Sequence, residues 1–125
     1  DKDDRRNSSD IENDIRSLEH DLSNLPEAVA PIVNSELEAL SSLYVLEGSI
    51  MGGPYIVQML KKIDIQRGFS FFNGYGDKSE LMWNRFTSVL NKYGKDDSQH
   101  LKAIEIANRT FFNFGEVFQK ENSLI

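Results

Sequence analysis

A chain of 125 residues, 39% hydrophobic and 27% charged, has the size and balance of one globular domain with a core of its own. Its 14 basic and 20 acidic residues leave a net charge of -6, which argues against an indiscriminate electrostatic grip on nucleic acid or on an anionic membrane. The absence of cysteine excludes disulfides, thiolate catalysis, iron-sulfur clusters and the usual zinc sites, leaves His20 and His100 as the only imidazoles, and fits a reducing cytoplasm. There is no charged-then-apolar leader and no uninterrupted apolar run of about 18 residues, so the chain reads as soluble.

Residues 1–8 are charged and nearly free of apolar side chains, and are expected to fray unless another segment holds them. Ser9 with Glu12 reads as a capping box, and Ile11, Ile15, Leu18, Leu22 and Leu25 follow a helical stripe ending at Pro26. A linker runs through Pro31. Ser35 with Glu38 then opens the longest element, in which Leu37, Leu40, Leu43, Leu46 and Ile50 lie three or four apart and Ile56, Met59, Leu60 and Ile63 resume the stripe. Pro54 lacks an amide hydrogen and crowds the preceding turn, so a kink is expected near Gly52 and Gly53. The segment FSFFNGYGD, residues 69–77, is too rich in Gly and Asn for a stable helix, yet Phe69, Phe71, Phe72 and Tyr75 demand that it pack.

A third helix is expected from about Ser79 to Tyr93, with Leu81, Met82, Phe86, Val89 and Leu90 inward and Gly94 as its stop. A fourth runs from about Asp97 to Gln119, with Leu101, Ile104, Ala107, Phe111, Phe114 and Phe118 inward. No strand pattern, internal repeat or second domain competes, and the fold class is an all-α multi-helical array.

Three glycines interrupt the second helix. An interior glycine is about 1 kcal/mol less favourable than alanine, so the cluster implies that backbone must meet something large. Gly48 and Gly52, four apart, share one face, and Gly53 widens the bare strip. Two readings fit that spacing: a wall for a planar macrocycle, or close packing of two helices through small residues.

The residues themselves resemble a family. LYVLEGSIMGGPYI, residues 43–56, is similar to the distal helix of the heme oxygenases, in particular the bacterial biliverdin-forming branch with its YVLEGSxxGG pattern. GFSFFNGYG followed by Met82-Trp83-Asn84-Arg85-Phe86 resembles that branch's FFxGYG loop and next helix, and Ala107-Asn108-Arg109-Thr110-Phe111 resembles its final helix. Three ordered matches over about residues 40–118 are far more specific than one Gly-x-x-x-Gly.

The resemblance implies a heme-oxygenase-like fold with residues 44–57 as the distal wall. Gly48, Ser49, Gly52 and Gly53 would then lie over heme, with Gly48, Ser49 and Gly52 in the catalytic role. Ser49 stands where some members carry a carboxylate, which weakens any acid-assisted water network through that side chain. In the family, heme is both cofactor and substrate, and its ring is opened at a meso carbon to biliverdin, ferrous iron and carbon monoxide with electrons from a reductase or ferredoxin. Biliverdin can feed a phytochrome, or the ring can be opened for its iron. The family holds iron through a histidine on an N-terminal helix that has no counterpart here. The chain is therefore expected to hold roughly the C-terminal two thirds of the fold and to be completed by an upstream segment or a second chain.

Other residues carry two readings. Arg85, with Lys78 and Lys92 behind it, could meet heme propionates or simply face solvent. Phe111 and Phe114, with Phe118, could line the macrocycle edge or serve as core. Tyr44 could join a distal water network or anchor its helix. His20 lies opposite its helix stripe and is expected in solvent, while His100 is expected to cap or pack locally, so no residue is assigned to a metal. Glu36, Glu38, Asp96 and Asp97 read as helix-start charges. Oxidative heme cleavage leads. A noncatalytic tetrapyrrole-binding or helical interaction module on the same scaffold is the alternative, and a purely structural four-helix domain is the third reading.

Overall fold

The computed structural model describes residues 1–123, and all of its regular elements are helical: α1 (Ser8–Ser17), α2 (Glu36–Lys62), α3 (Ser79–Tyr93) and α4 (Asp97–Ser123), with short 3-10 turns at Lys2–Asp4 and Gly76–Lys78. The all-α class expected from the sequence is the class observed. None of the described helices is long and apolar enough to cross a membrane. The chain forms two compact units: residues 1–24 with 48–82, and residues 25–47 with those from 83 onward.

In the first unit α1 is shorter than its apolar stripe suggests. Its cap is Asn7, whose side chain accepts from the Ser9 amide at 2.8 Å while Asp10 returns a bond to the Asn7 amide at 2.9 Å, in place of the expected Ser9/Glu12 pair. The helix stops at Ser17, not near Pro26. Glu19 adopts φ 63°, the His20 amide reaches back to the Ile15 carbonyl, and the Glu19 amide reaches the Arg16 carbonyl, which together form a Schellman ending. Downstream, the Asp21 carboxylate accepts from both the hydroxyl and the amide of Ser23, and those two bonds hold its pKa below the ordinary carboxylate value. This local turn satisfies the backbone without a helix, so the stripe through Leu22 and Leu25 has no helix to occupy.

Two anchors pin the aromatic segment of this unit. Asp14, buried on α1, accepts from the Ser70 amide at 2.9 Å, the Ser70 hydroxyl at 2.6 Å and the Phe71 amide at 2.8 Å. Residues 1–6 are not frayed: Arg5 donates to the Met82 carbonyl at 3.0 Å and Arg6 to the Phe71 carbonyl at 2.9 Å. Phe69, Phe71, Phe72 and Tyr75 are half-buried, as packing of this loop required. The core of the unit is Ile50, Val57 and Met82. Helix α2 continues unbroken through Pro54 and ends in a second Schellman pattern, with Asp64 at φ 64° and the Ile65 amide on the Leu60 carbonyl.

In the second unit Ser35 caps α2 by accepting from the Glu38 amide at 3.1 Å. The buried Glu38 carboxylate reaches past Ser35 to the Asn34 amide at 2.8 Å and lies 3.8 Å from Lys102. Asp96 and Gln99 cap α4 reciprocally. A hydrogen bond to Glu36 raises the Tyr93 phenol above its ordinary pKa, with the carboxylate's negative charge adding to the effect. The expected inward stripes of α3 and α4 need correction. On α3 only Met82 and Phe86 are buried, while Leu81 and Val89 are exposed. On α4, Leu101, Ile104, Phe111, Phe114 and Phe118 are all exposed, and the buried residues are Ile106 and Thr110 with Ala103, Ala107, Asn113 and Val117 half-buried beside them. Helix α2 meets this small-residue face through Ser42, whose hydroxyl accepts from Thr110 at 3.0 Å. Nearby Ser41 is buried and donates to its own helix at the Leu37 carbonyl. Small side chains allow a close approach of the two helices, and the bulky ones are left outside.

Replacing Asp14 by alanine removes three hydrogen bonds and orphans two loop amides. Because each buried donor left without a partner costs about 1–3 kcal/mol, Asp14→Ala is expected to destabilise the fold by at least about 2 kcal/mol, read as a lower urea midpoint.

Candidate functional site

The glycines of α2 do not share one role. Gly52 is exposed, and a Cβ built there would meet nothing within 4 Å. Gly53 is buried, and a Cβ there would collide with the Phe72 carbonyl oxygen, with the carbonyl carbon 3.0 Å away. Its missing side chain admits the aromatic loop to the helix, and this packing takes Gly53 out of the open strip to which the sequence reading assigned it. Gly48 is half-buried four residues before Gly52. The bare position shown on this helix is therefore Gly52, with the half-buried Gly48 one turn before it.

Ser49 stands beside that face, half-buried, and its hydroxyl oxygen accepts from the Arg6 guanidinium at 2.9 Å. Arg6 came from the segment that reads as a charged tail, and its role was missed. The same guanidinium donates to the Phe71 carbonyl at 2.9 Å and lies over two rings, 4.3 Å from the Phe71 centroid and 5.5 Å from that of Tyr75. The Arg6 amide also donates to the Tyr75 hydroxyl at 3.1 Å. A basic pair followed by a capped helix was the available signal, but nothing local in the sequence tells which aromatic carbonyl an arginine will find.

The remaining candidates lie in the other unit. Tyr44, on α2, has its ring tilted against Trp83 with centroids 5.5 Å apart, and Trp83 stacks on Phe86 at 6.1 Å, so Tyr44 is held as an anchor while 40% exposed. Arg85 is exposed and forms no ion pair among the described residues, which leaves its guanidinium available to an anion. Phe111 is 60% exposed. Phe114 borders an apolar depression of about 160 Å³ formed with Val29, Pro31, Leu46 and Val117, smaller than the several hundred cubic ångströms of a drug-sized ligand pocket.

Neither histidine is placed as an iron ligand. His20 is exposed in the turn after α1, and His100 has its Nε2 2.8 Å from the Gly94 carbonyl, a local cap on the end of α3. Gly52 thus presents open backbone on α2, and neither His20 nor His100 lies beside it as an axial imidazole.

The family model for heme oxygenase matches residues 7–120. A curated heme oxygenase of Xanthomonas campestris pv. campestris (strain 8004) is 33% identical over 89 residues, which is 70% of this chain and 53% of the relative. The chain spans about half the length of that relative. No solved structure matches it.

The two adjacent glycines should separate experimentally. Gly53→Ala forces the Phe72 backbone to move and is expected to cost about 1–3 kcal/mol, whereas Gly52→Ala meets open space in a helix and should gain about 0.5–1 kcal/mol. Thermal unfolding of the two variants checks the order.

Proposed function

The chain belongs to the heme oxygenase family, and from that membership we propose that the Gly48 to Gly52 face of α2 forms the distal wall of a heme site where the ring is opened to biliverdin, iron and carbon monoxide. The observation that carries the reading is the open backbone at Gly52, where a helix presents main chain instead of side chain to whatever lies against it. Helix amide and carbonyl groups approach a flat ring closely only where no Cβ intervenes. The chemistry of ring opening belongs to heme itself, with electrons from a reductase or ferredoxin, while the protein contributes shape and orientation. Arg85, exposed and free of an ion pair among the described residues, offers a two-pronged guanidinium that suits a carboxylate. Biliverdin release to a phytochrome, or use of the freed iron, extends the same proposal.

A segment that covers exposed apolar side chains belongs to it as well. Met51, Tyr55 and Met59 on α2, and Ile63 just past its end, all stand in water, more than scattered surface residues require. Such a segment, from the same polypeptide or a second chain, would also be the place for the axial ligand.

The second reading, a tetrapyrrole-binding module without turnover, is favoured by the placement of His20 and His100. Hemin titration of the purified chain, followed by addition of a reductant, distinguishes the two: a Soret band that converts to biliverdin absorbance supports the enzyme, and a stable band supports the module. Gly52→Leu places a bulky group in open space without touching the fold, and is expected to weaken hemin binding about tenfold or more, a change of about 1.4 kcal/mol. Unchanged affinity in that variant would remove Gly52 from the site and leave a structural helix.

A further inference from the structure

Asn73 is the chain's only asparagine followed by glycine, and the fold leaves the pair open to chemistry on itself. Its carboxamide is exposed and makes no hydrogen bond among the described residues. Gly74 sits at φ 63°, a left-handed turn position that suits glycine, and has no Cβ to shield its nitrogen. The other asparagines differ. Asn7 is committed to capping α1, those on α1, α3 and α4 are held in helical backbone, and Asn24 and Asn34 precede residues with side chains.

We propose that Asn73 is a self-modifying site, ageing through a succinimide to aspartate and isoaspartate. The Gly74 nitrogen bonds to the Asn73 Cγ and gives up its proton, the Cγ–Nδ2 bond breaks, and ammonia leaves. Water then opens the ring. Attack at Cγ gives aspartate, and attack at the main-chain carbonyl carbon gives isoaspartate, in which the chain runs through the former side chain. The net change is one water in and one ammonia out, with no oxidation.

The aromatic loop sets the rate. The Gly74 amide donates to the Phe71 carbonyl at 3.1 Å, and that bond must open before its nitrogen can attack. Phe71 is fixed in turn by Asp14 at its amide and by Arg6 at its carbonyl. Freeing Phe71 therefore frees Gly74. The product also strains the loop. Asn73 uses its amide on the Phe69 carbonyl and its carbonyl on the Gly76 amide, while Phe72 beside it lies against Gly53. An isoaspartate lengthens the main chain by one carbon at this point, so these contacts no longer fit together.

The test is a timed incubation of the full chain at mildly alkaline pH, with peptide mapping by mass spectrometry and an isoaspartyl methyl-acceptor assay. Acid is expected at Asn73 ahead of every other asparagine, mainly as isoaspartate, and Asn73→Gln should remove the methyl-acceptor signal. Conversion is expected to run about tenfold or more faster in Asp14→Ala, because opening of the loop becomes that much more populated. Wild type in fully denaturing urea should show an acceleration of at least that size, and it decides the point even where Asp14→Ala does not fold. The isoaspartyl form, separated from the aged sample, should have a lower urea midpoint than Asn73→Asp, which carries the new charge on an unaltered chain.

Earlier conversion at any other asparagine of the folded chain, or a methyl-acceptor signal that survives Asn73→Gln, would overturn the site. A folded chain that never converts while the unfolded one does would overturn it as well, since the turn then seals Asn73. Equal rates in wild type, Asp14→Ala and urea would overturn the control by the loop's anchors, and equal midpoints for isoaspartate and Asn73→Asp would overturn the strain.

Discussion

The buried carboxylate of Asp14 is the constraint on which the first unit depends. The aromatic segment after Gly68 has no ladder or long helix of its own to satisfy its backbone, and a buried unpaired amide costs as much as a lost hydrogen bond. Asp14 meets two of those amides and one hydroxyl from a position on α1. Once the loop is fixed there, Phe72 can lie against Gly53, and Arg6 can be stacked on Phe71 and tied to Ser49. Exposed charges elsewhere are of a different kind. The Arg67 to Glu19 pair, 4.0 Å apart in solvent, contributes little, because screening and side-chain entropy offset most of the attraction.

Close approach of backbone to backbone explains the adjacency of the glycines better than a single shared function does. Gly52 and Gly53 differ by about 100 degrees around the helix, so neighbouring positions face different surroundings. One meets the loop carbonyl and the other meets space. Of the two readings weighed for this cluster, close packing holds at Gly53, against a loop carbonyl and not a second helix, and the proposed wall for a flat ligand is left to the open Gly52.

Much of the fold was legible in the sequence because it is written locally. The starts of α2 and α3, the stop of α3 near Gly94 and the packed aromatic loop all follow from caps, turn residues and spacing. What was not legible depended on competition or on distance. The apolar stripe of α1 continues to Leu25, but an Asp21 to Ser23 turn and a left-handed Glu19 satisfy the chain first. Asp14 reads as one more polar residue of a helix face, since its partners lie 56 and 57 residues away. The open backbone at Gly52 was visible as part of a glycine strip. The Arg6 to Ser49 bond, spanning 43 residues, was not.

Helix α4 carries its phenylalanines outward, with Phe111, Phe112 and Phe118 in solvent, while Ile106 and Thr110 are buried and Ala103 and Ala107 half-buried. Its tolerance to change therefore runs opposite to its hydropathy. Truncating an outward phenylalanine empties no cavity, whereas cutting back Ile106 or enlarging Thr110 disturbs a filled interior, so the smaller side chains are the fragile positions of this helix.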